Sequence, residues 1–455
     1  MSAVSVQSGT DLTTSNGIAL TAEQQQAHDS AIAAVSKGQE QFLLSGLAGA
    51  GKTTTVVEIL RTLKSKGVRP CVCTPTGKAA YVINQKQNLC KAETLHAALS
   101  ARPYDLLAPV YDRLDELDAK RLTPESLTPE EIKEEAELLA RIDRAKYIKT
   151  LDFEPCDIDE FTTEYDVVIF DESSMIGEEI YNKLIGRIPL PKIFVGDKAQ
   201  LPPVNERCAV DLRRAHADLK TIMRQKKDSG ILSFAHGVFG GKVMTPTQLA
   251  QYADIECVKD HRAFLLDKYL GDHQVVVWTN NERHEINERA RAVRGVIADP
   301  RSHGLPVPGE KIMVDVNRKK ERLLRGEILT VVSVNEYMTG KTVGNRFLAH
   351  VTCKDEYERE RLLLISLTDT IPVKGKLDYN SPEARQRRQA DSFGVKVQLS
   401  YAITCHKAQG SEWDKVVYVG SMMPESNKDW REHWYTGCTR AKNKLVIASY
   451  HFSHG

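Results

Sequence analysis

No apolar run in the 455-residue sequence comes near the roughly 20 residues that a membrane-crossing helix requires. The chain is expected not to enter a bilayer. Its nine cysteines are an odd number and none stands in C-x-x-C spacing, which argues against a zinc ribbon or a disulfide framework. Reduced thiols in a cytoplasmic protein are the expectation that remains. Met1 to Gly17 contains no basic residue and no apolar stretch of signal-peptide type, so it reads as a mobile tail. Net charge is only +1, and the total therefore gives no hint of a polyanionic partner.

The distribution of charge is more informative. Residues 101–160 hold 17 Asp or Glu against 9 Lys or Arg, leaving 53 basic and 44 acidic residues elsewhere. That remainder is mildly basic, as a groove following a phosphate backbone requires, although charge of this size is also ordinary for a protein surface. The length suits two to four domains. Short β-branched runs alternate with longer helical patterns, which predicts an α/β protein with parallel sheets. A first block contains Gln41–Ser45, Arg69–Thr74, Asp166–Phe170 and Lys192–Val195; a second contains Gln274–Trp278, Lys396–Leu399, Lys415–Val419 and Lys444–Ile447.

Each block carries an insertion. The first, about Ala101 to Thr163, is acidic and mostly helical, with a helix opening at Thr128-Pro129 and Glu131 placed for a capping box. Ile132, Ala136, Leu139 and Ile142 recur at helical spacing and should pack on a neighbour. The second, about Ala292 to Phe393, holds strand-like Leu329–Val334 and Phe347–Thr352 with basic clusters at Arg318–Arg325 and Arg385–Arg388. A small β-barrel is expected there.

Gly46-Leu-Ala-Gly-Ala-Gly51-Lys52-Thr53 fits G-x-x-x-x-G-K-[ST] and lies between a strand and a helix running to about Ser65. Glycines let such a loop turn its N–H groups onto phosphate oxygens. Gly46, Ala48, Gly49, Ala50, Gly51, Lys52, Thr53 and Thr54 are thus candidates for nucleotide binding, with Lys52 reaching the β- and γ-phosphates and Thr53 ligating magnesium. Asp166-Val-Val-Ile-Phe-Asp171-Glu172 puts an acidic pair at the C-terminal end of a buried strand, where open α/β sheets hold ligands. Asp171 is the candidate magnesium partner and Glu172 the candidate general base.

With Phe194-Val-Gly196-Asp197-Lys-Ala-Gln200-Leu-Pro-Pro-Val204 the set resembles superfamily 1 helicases, over nearly the whole chain. Leu20-Thr21-Ala-Glu-Gln24 looks like the adenine-reading segment, Cys73-Thr-Pro75-Thr76-Gly-Lys78 like motif Ia, and Thr94-Leu-His96 like motif Ib. Leu219 to Gln225, with Arg224, looks like motif IV. Val277-Trp-Thr279-Asn280, Tyr401-Ala-Ile-Thr404-Cys-His406-Lys407-Ala-Gln409-Gly410-Ser-Glu412 and Tyr435-Thr-Gly-Cys-Thr439-Arg440-Ala-Lys442 complete the series. In order and spacing these are similar to the 5′-to-3′ subgroup that contains RecD-type and phage Dda-type helicases, and such a protein is placed in replication, repair or recombination.

The resemblance implies two RecA-like P-loop domains with ATP and Mg2+ between them. Domain 1A would comprise residues 18–100 and 164–226, domain 2A residues 227–291 and 394–455. Insertion 1B would span 101–163 and insertion 2B, an SH3-like barrel, 292–393. Arg440 becomes an arginine finger, Arg224 a second γ-phosphate contact, Gln200 a γ-phosphate sensor, and Gly410 and Glu412 nucleotide contacts. Pro75, Thr76, Lys78, Thr94, His96, Asn280, Thr404 and His406 become contacts to single-stranded DNA, with forked duplex as the second DNA partner. A single-strand-binding protein or other replication and recombination proteins are implied partners, and a monomer is the implied working unit. Isolated histidines are more often structural; the motif settings of His96 and His406 reverse that. The acidic insertion is longer than the pin of Dda-type members, which leaves its wedge residue open; Tyr104 suits stacking or burial. Asp-Glu-Ser-Ser in place of the Asp-Glu-Ala-x-Gln of Upf-like RNA helicases favours DNA. The rival readings are an RNA-directed or 3′-to-5′ motor, and a nucleotide-gated binding module that does not unwind.

Overall fold

The computed structural model describes residues 20–100, 113–114, 117, 120, 128–138, 155–204, 206–221, 229–242, 244–258, 268–269, 272–296, 305–315, 323, 325–338, 348–355, 358–367, 394–420 and 427–448. Arg224, Tyr104, the tail before Gly17 and the Arg385–Arg388 cluster lie outside these residues, as does most of Arg318–Arg325.

Among the described residues the strands form two parallel sheets and one closed barrel. The first sheet has the order β3-β2-β4-β5-β1-β6, where β1 is Gln41–Gly46, β2 Pro70–Thr74, β3 Ala92–Thr94, β4 Val167–Phe170, β5 Lys192–Gly196 and β6 Ala217–Leu219. Residues of β2, β4 and β5 are buried throughout, as continuous apolar runs covered on both faces should be. Helix α1 (Ala22–Ser36) and helix α2 (Lys52–Ser65) pack on one face, where Ala31, Val56, Ile59, Leu60 and Leu63 meet Leu44, Ile169 and Val195. Helices α3 (Gly77–Lys86) and α4 (Leu95–Leu99) follow β2 and β3.

The second sheet has the order β14-β8-β15-β16-β7, with β7 Ile255–Val258, β8 Gln274–Val277, β14 Ala402–Thr404, β15 Trp413–Val419 and β16 Ala441–Ala448. Helices α5 (Gly230–Phe239), α6 (Asn280–Val293), α7 (Cys405–Ala408) and α8 (Trp430–Cys438) belong to this half. Its core does not stop at the domain border. Ala199 and Leu201 from the loop after β5 sit in one apolar cluster with Phe234, Tyr418, Trp434 and Tyr435, and Leu47 and Ala48 of the phosphate loop pack against it.

The barrel runs β10-β11-β12-β13-β9, with β9 Lys311–Val314, β10 Ile328–Met338, β11 Leu348–Lys354, β12 Glu360–Leu367 and β13 Val395–Leu399. The expected barrel is present, but the strand expected at Lys396–Leu399 in the second sheet is one of its staves. It pairs with β9 and β12, and the second-sheet strand of that region is the three-residue β14. The insertion therefore reaches Leu399 rather than Phe393. A buried ion pair ties barrel to sheet: Arg291 on α6 donates to both carboxylate oxygens of Glu310 at 2.8 and 2.7 Å.

In the first insertion the capping box at Thr128 forms, since Glu131 N–H donates to Thr128 Oγ1 at 3.2 Å and Thr128 N–H to Glu131 Oε2 at 2.9 Å. Ile132, expected on a packed face, is 50% exposed, and Glu135 is buried in its stead. Arg113 pairs with Glu134 and Lys120 with Glu131, so part of the acidic charge is neutralised within the insertion. Among the described residues no helix is long and apolar enough to cross a membrane.

Candidate nucleotide and nucleic-acid site

Strand order divides the expected site residues into two groups. Those of the nucleotide set follow β1, β4 and β5 in the middle of the first sheet; the expected DNA contacts follow β2 and β3 at its edge, and β8 and β14 at one edge of the second. These lie at C-terminal strand ends, where helix N-termini gather, whereas Gln24 stands on α1 before β1, Gly410 and Glu412 precede β15 and Arg440 precedes β16.

The phosphate loop is built by two glycines with left-handed backbones, Gly49 (φ 83°) and Gly51 (φ 80°), which a side chain would strain. Gly46 is needed for space: a Cβ would stand 3.0 Å from Lys52 Cγ and 3.1 Å from Leu219 Cβ. Lys52 Nζ donates to Gly46 O at 2.7 Å and Leu47 O at 3.3 Å, and lies 3.6 Å from Asp197 Oδ2. Gln24 completes a capping box with Thr21 while its amide Nε2 donates to Ala50 O at 3.1 Å. The expected adenine reader is thus joined directly to the phosphate loop. Thr53 and Thr54 occupy the first turn of α2, both half-buried.

Asp171 and Glu172 follow β4, Asp171 buried and Glu172 half-buried. Asp171 Oδ1 accepts the Glu172 N–H at 2.9 Å, and Glu172 adopts φ 53°, a left-handed backbone rare for glutamate and of the strained kind that clusters at functional sites. Burial first, and then the Asp171 charge, pushes the Glu172 carboxyl up to about 7, against the opposing pull of Lys52 and Arg440. Burial likewise raises Asp171. Glu172 Oε2 and Gln200 Oε1 are buried without hydrogen-bond partners among the described residues. Orphaned buried acceptors of this kind call for a cation or a donor. No group of three or more His, Cys, Asp and Glu among the described residues is placed to hold a metal by itself. A hydroxyl and a carboxylate, from Thr53 and Asp171, suit a magnesium ion that brings most of its ligands as water and phosphate.

Arg440 is 4% exposed and belongs to the opposite domain. Its guanidinium donates to Thr436 O at 2.9 Å, Ser411 O at 3.1 Å and Thr439 Oγ1 at 3.0 Å. It is close enough to Glu172 to favour the ionised carboxylate, although its bonds here are all within its own domain. Gly410, at φ 74°, abuts Thr76 of the first domain, and Glu412 precedes β15.

On the expected DNA side, Thr76 and Thr94 cap α3 and α4, accepting the Ala79 and Ala97 N–H groups. Pro75 precedes Thr76 and is half-buried. Asn280 is the exposed first residue of α6, and Thr404 ends β14 just before α7. Burial lowers the His96 and His406 pKa values and so favours the neutral imidazoles. Lys78 Nζ stands 5.7 Å from the ring centroid of Trp413, so motif Ia touches the second domain through a cation–π contact.

Three residues without an assigned role in the sequence reading hold the cleft. Asp197 is fully buried and accepts from Ala199 N–H at 3.0 Å and from Tyr435 Oη at 2.8 Å. Tyr435 accepts the Ala48 N–H at 2.6 Å, and Thr436 Oγ1 the Leu201 N–H at 2.9 Å. Asp197, Tyr435 and Thr436 all stand in quoted motifs, but pairing across 238 positions has no local signal.

Comparison with known proteins agrees with this geometry. Residues 19–262 match the AAA domain model and residues 399–448 the UvrD-like helicase C-terminal domain. The ATP-dependent RecD2 DNA helicase of Deinococcus radiodurans is 24% identical over 430 residues, 90% of this chain and 47% of that protein. An uncharacterised Methanocaldococcus jannaschii protein is 32% identical over 169 residues, 36% of this chain and 11% of that one. The chain thus spans about half the length of the first relative and far less of the second. The Pif1 helicase from Bacteroides in complex with ADP-AlF3 and ssDNA shares the fold, with a TM-score of 0.52 at 18% identity, covering 94% of this chain and 92% of that one. By its phosphate-loop half the chain belongs to the AAA domain family, and its second half carries the match to the UvrD-like helicase C-terminal domain.

Proposed function

We propose that the chain is an ATP-driven DNA helicase that moves 5′-to-3′ on single-stranded DNA and opens forked duplex. The observation that carries the reading is the meeting of Lys52, Glu172 and Gln200 of one domain with the Arg440 segment of the other, around the buried oxygens Glu172 Oε2 and Gln200 Oε1, which lack hydrogen-bond partners among the described residues. Lys52 and the loop amides would hold the phosphates, with Thr53 and Asp171 on magnesium, whose role is to neutralise phosphate charge. Glu172, held near neutrality by burial, would take a proton from the attacking water. Arg440 would stabilise charge on the transferring phosphoryl after exchanging its present carbonyl partners, and Arg224 would add a second contact.

Closure of the two sheets would shift β2–β3 edge residues against β8–β14 edge residues. Thr76, Thr94, His96, Asn280, Thr404 and His406 would grip the strand by uncharged hydrogen bonds, and Lys78 by charge. The RecD2 relative and the DNA-bound Pif1 neighbour support DNA as the substrate. Forked duplexes with only a 5′ or only a 3′ tail, each made in DNA and in RNA, test polarity and substrate. Unwinding of the 5′-tailed DNA is expected; unwinding solely of 3′-tailed or RNA substrates would refute the reading.

A further inference from the structure

The Leu47–Ala48 peptide of the phosphate loop is gripped from both sides. Its carbonyl accepts from Lys52 Nζ at 3.3 Å, and its N–H donates to Tyr435 Oη at 2.6 Å. Tyr435 Oη in turn donates to Asp197 Oδ2 at 2.8 Å, and that oxygen lies 3.6 Å from Lys52 Nζ. The contacts close a ring, Ala48 to Tyr435 to Asp197 to Lys52 and back to Leu47. Tyr435 is its one member from the second domain.

The hydroxyl is held where it is by its own domain. Tyr435 is fully buried, its ring stacked on His236 at 5.9 Å and 17° and tilted on Phe239 at 5.8 Å, both from α5. The next residue, Thr436, accepts the Leu201 N–H, and its carbonyl accepts the Arg440 guanidinium. Helix α8 therefore reads the phosphate loop through Tyr435, reads the loop after β5 through Thr436, and carries Arg440 one turn further on.

We propose that the Tyr435 hydroxyl is a positioning group that registers the second domain on the phosphate loop, so that Arg440 is aligned with Glu172 only when the Leu47–Ala48 peptide and Asp197 are in this arrangement. The proposal rests on the ATP-site reading above. It assigns Tyr435 no contact with the reacting atoms. Its effect is predicted on alignment, which enters turnover, and not on nucleotide capture by the loop, which enters affinity.

Tyr435→Phe keeps the ring packing and deletes only the hydroxyl. A hydrogen bond to a charged partner is worth roughly a tenfold change in an equilibrium. Without nucleotide, hydrogen exchange of the segment around Ala48 should quicken about tenfold relative to barrel strand β11 in the same variant. The ratio to the barrel removes any overall loss of stability. With DNA and ATP, kcat should fall about tenfold while the KM for ATP stays within about threefold. An unchanged exchange ratio, or a rise in KM with kcat unchanged, would overturn the proposal. If the natural chain showed no DNA-stimulated turnover, the helicase reading would fail, and the exchange ratio alone would decide for or against the Tyr435 contact.

Discussion

Gly437 gives the sharpest test of how closely helix α8 must approach its sheet. A Cβ at this position would stand 2.2 Å from Tyr418 Cε2 and 2.4 Å from Cδ2, against the 3.4 Å at which ordinary contact begins. Tyr418 is pinned and cannot move aside. Its fully buried ring meets Trp434 edge-on at 4.8 Å and its hydroxyl lies 2.6 Å from His433 Nδ1. In Gly437→Ala the helix must therefore recoil by about 1 Å, because a close-packed interior offers no void for the methyl. Overpacking of this kind costs about 1–3 kcal/mol, less than the roughly 5–15 kcal/mol that holds a domain folded. Activity should suffer more than stability. Tyr435 and Arg440 ride on the displaced segment, and a misplacement of about 1 Å is worth about 100-fold in rate. Urea unfolding followed by tryptophan fluorescence, beside DNA-stimulated phosphate release, measures both. A folded variant with kcat within about threefold of the natural chain would refute the argument.

Other expectations follow from the same geometry. His433 is fully buried and burial lowers its pKa from 6.5 to about 3, so its contribution to stability is complete above pH 6.5 and is lost as the pH falls towards 3. Between pH 7.5 and 5.5 the loss should be about 1.4 kcal/mol, and His433→Gln should remove that part of the slope in urea titrations. Arg291→Leu leaves the Glu310 carboxylate buried with Tyr401 Oη and the Val307 N–H as its remaining partners among the described residues, and should cost about 3–5 kcal/mol. Adding Glu310→Met should recover most of that loss in the same unfolding assay, since a neutral pair carries no desolvation penalty.

The phosphate loop, the acidic pair after β4 and the four central strands of the first sheet, β1, β2, β4 and β5, were legible because each is a local pattern whose period or glycine positions state its geometry, whereas the three-residue edge strands β3 and β6 are too short to carry one. Sheet membership was not. Val395–Leu399, Val-Lys-Val-Gln-Leu, alternates as a strand does, and nothing within five residues names the sheet or barrel it joins. The true edge strand, Ala402–Thr404, is too short to show a period. Ile132 fits the apolar face of its helix yet lies in the open, because helical spacing marks a stripe and does not supply the neighbour. Asp197 and Tyr435 were visible as motif letters, but their roles arise only where distant segments meet.

In the proposed mechanism Glu172 is the base of an ATP site shared between two domains. Phosphate release with and without single-stranded DNA, measured for the natural chain and Glu172→Gln beside nucleotide binding, addresses it directly. DNA-stimulated turnover should drop at least about 100-fold in the variant, the scale of a lost general base, while ATP affinity stays within about threefold. A Glu172→Gln protein that hydrolyses ATP at the natural rate when DNA is added would contradict it.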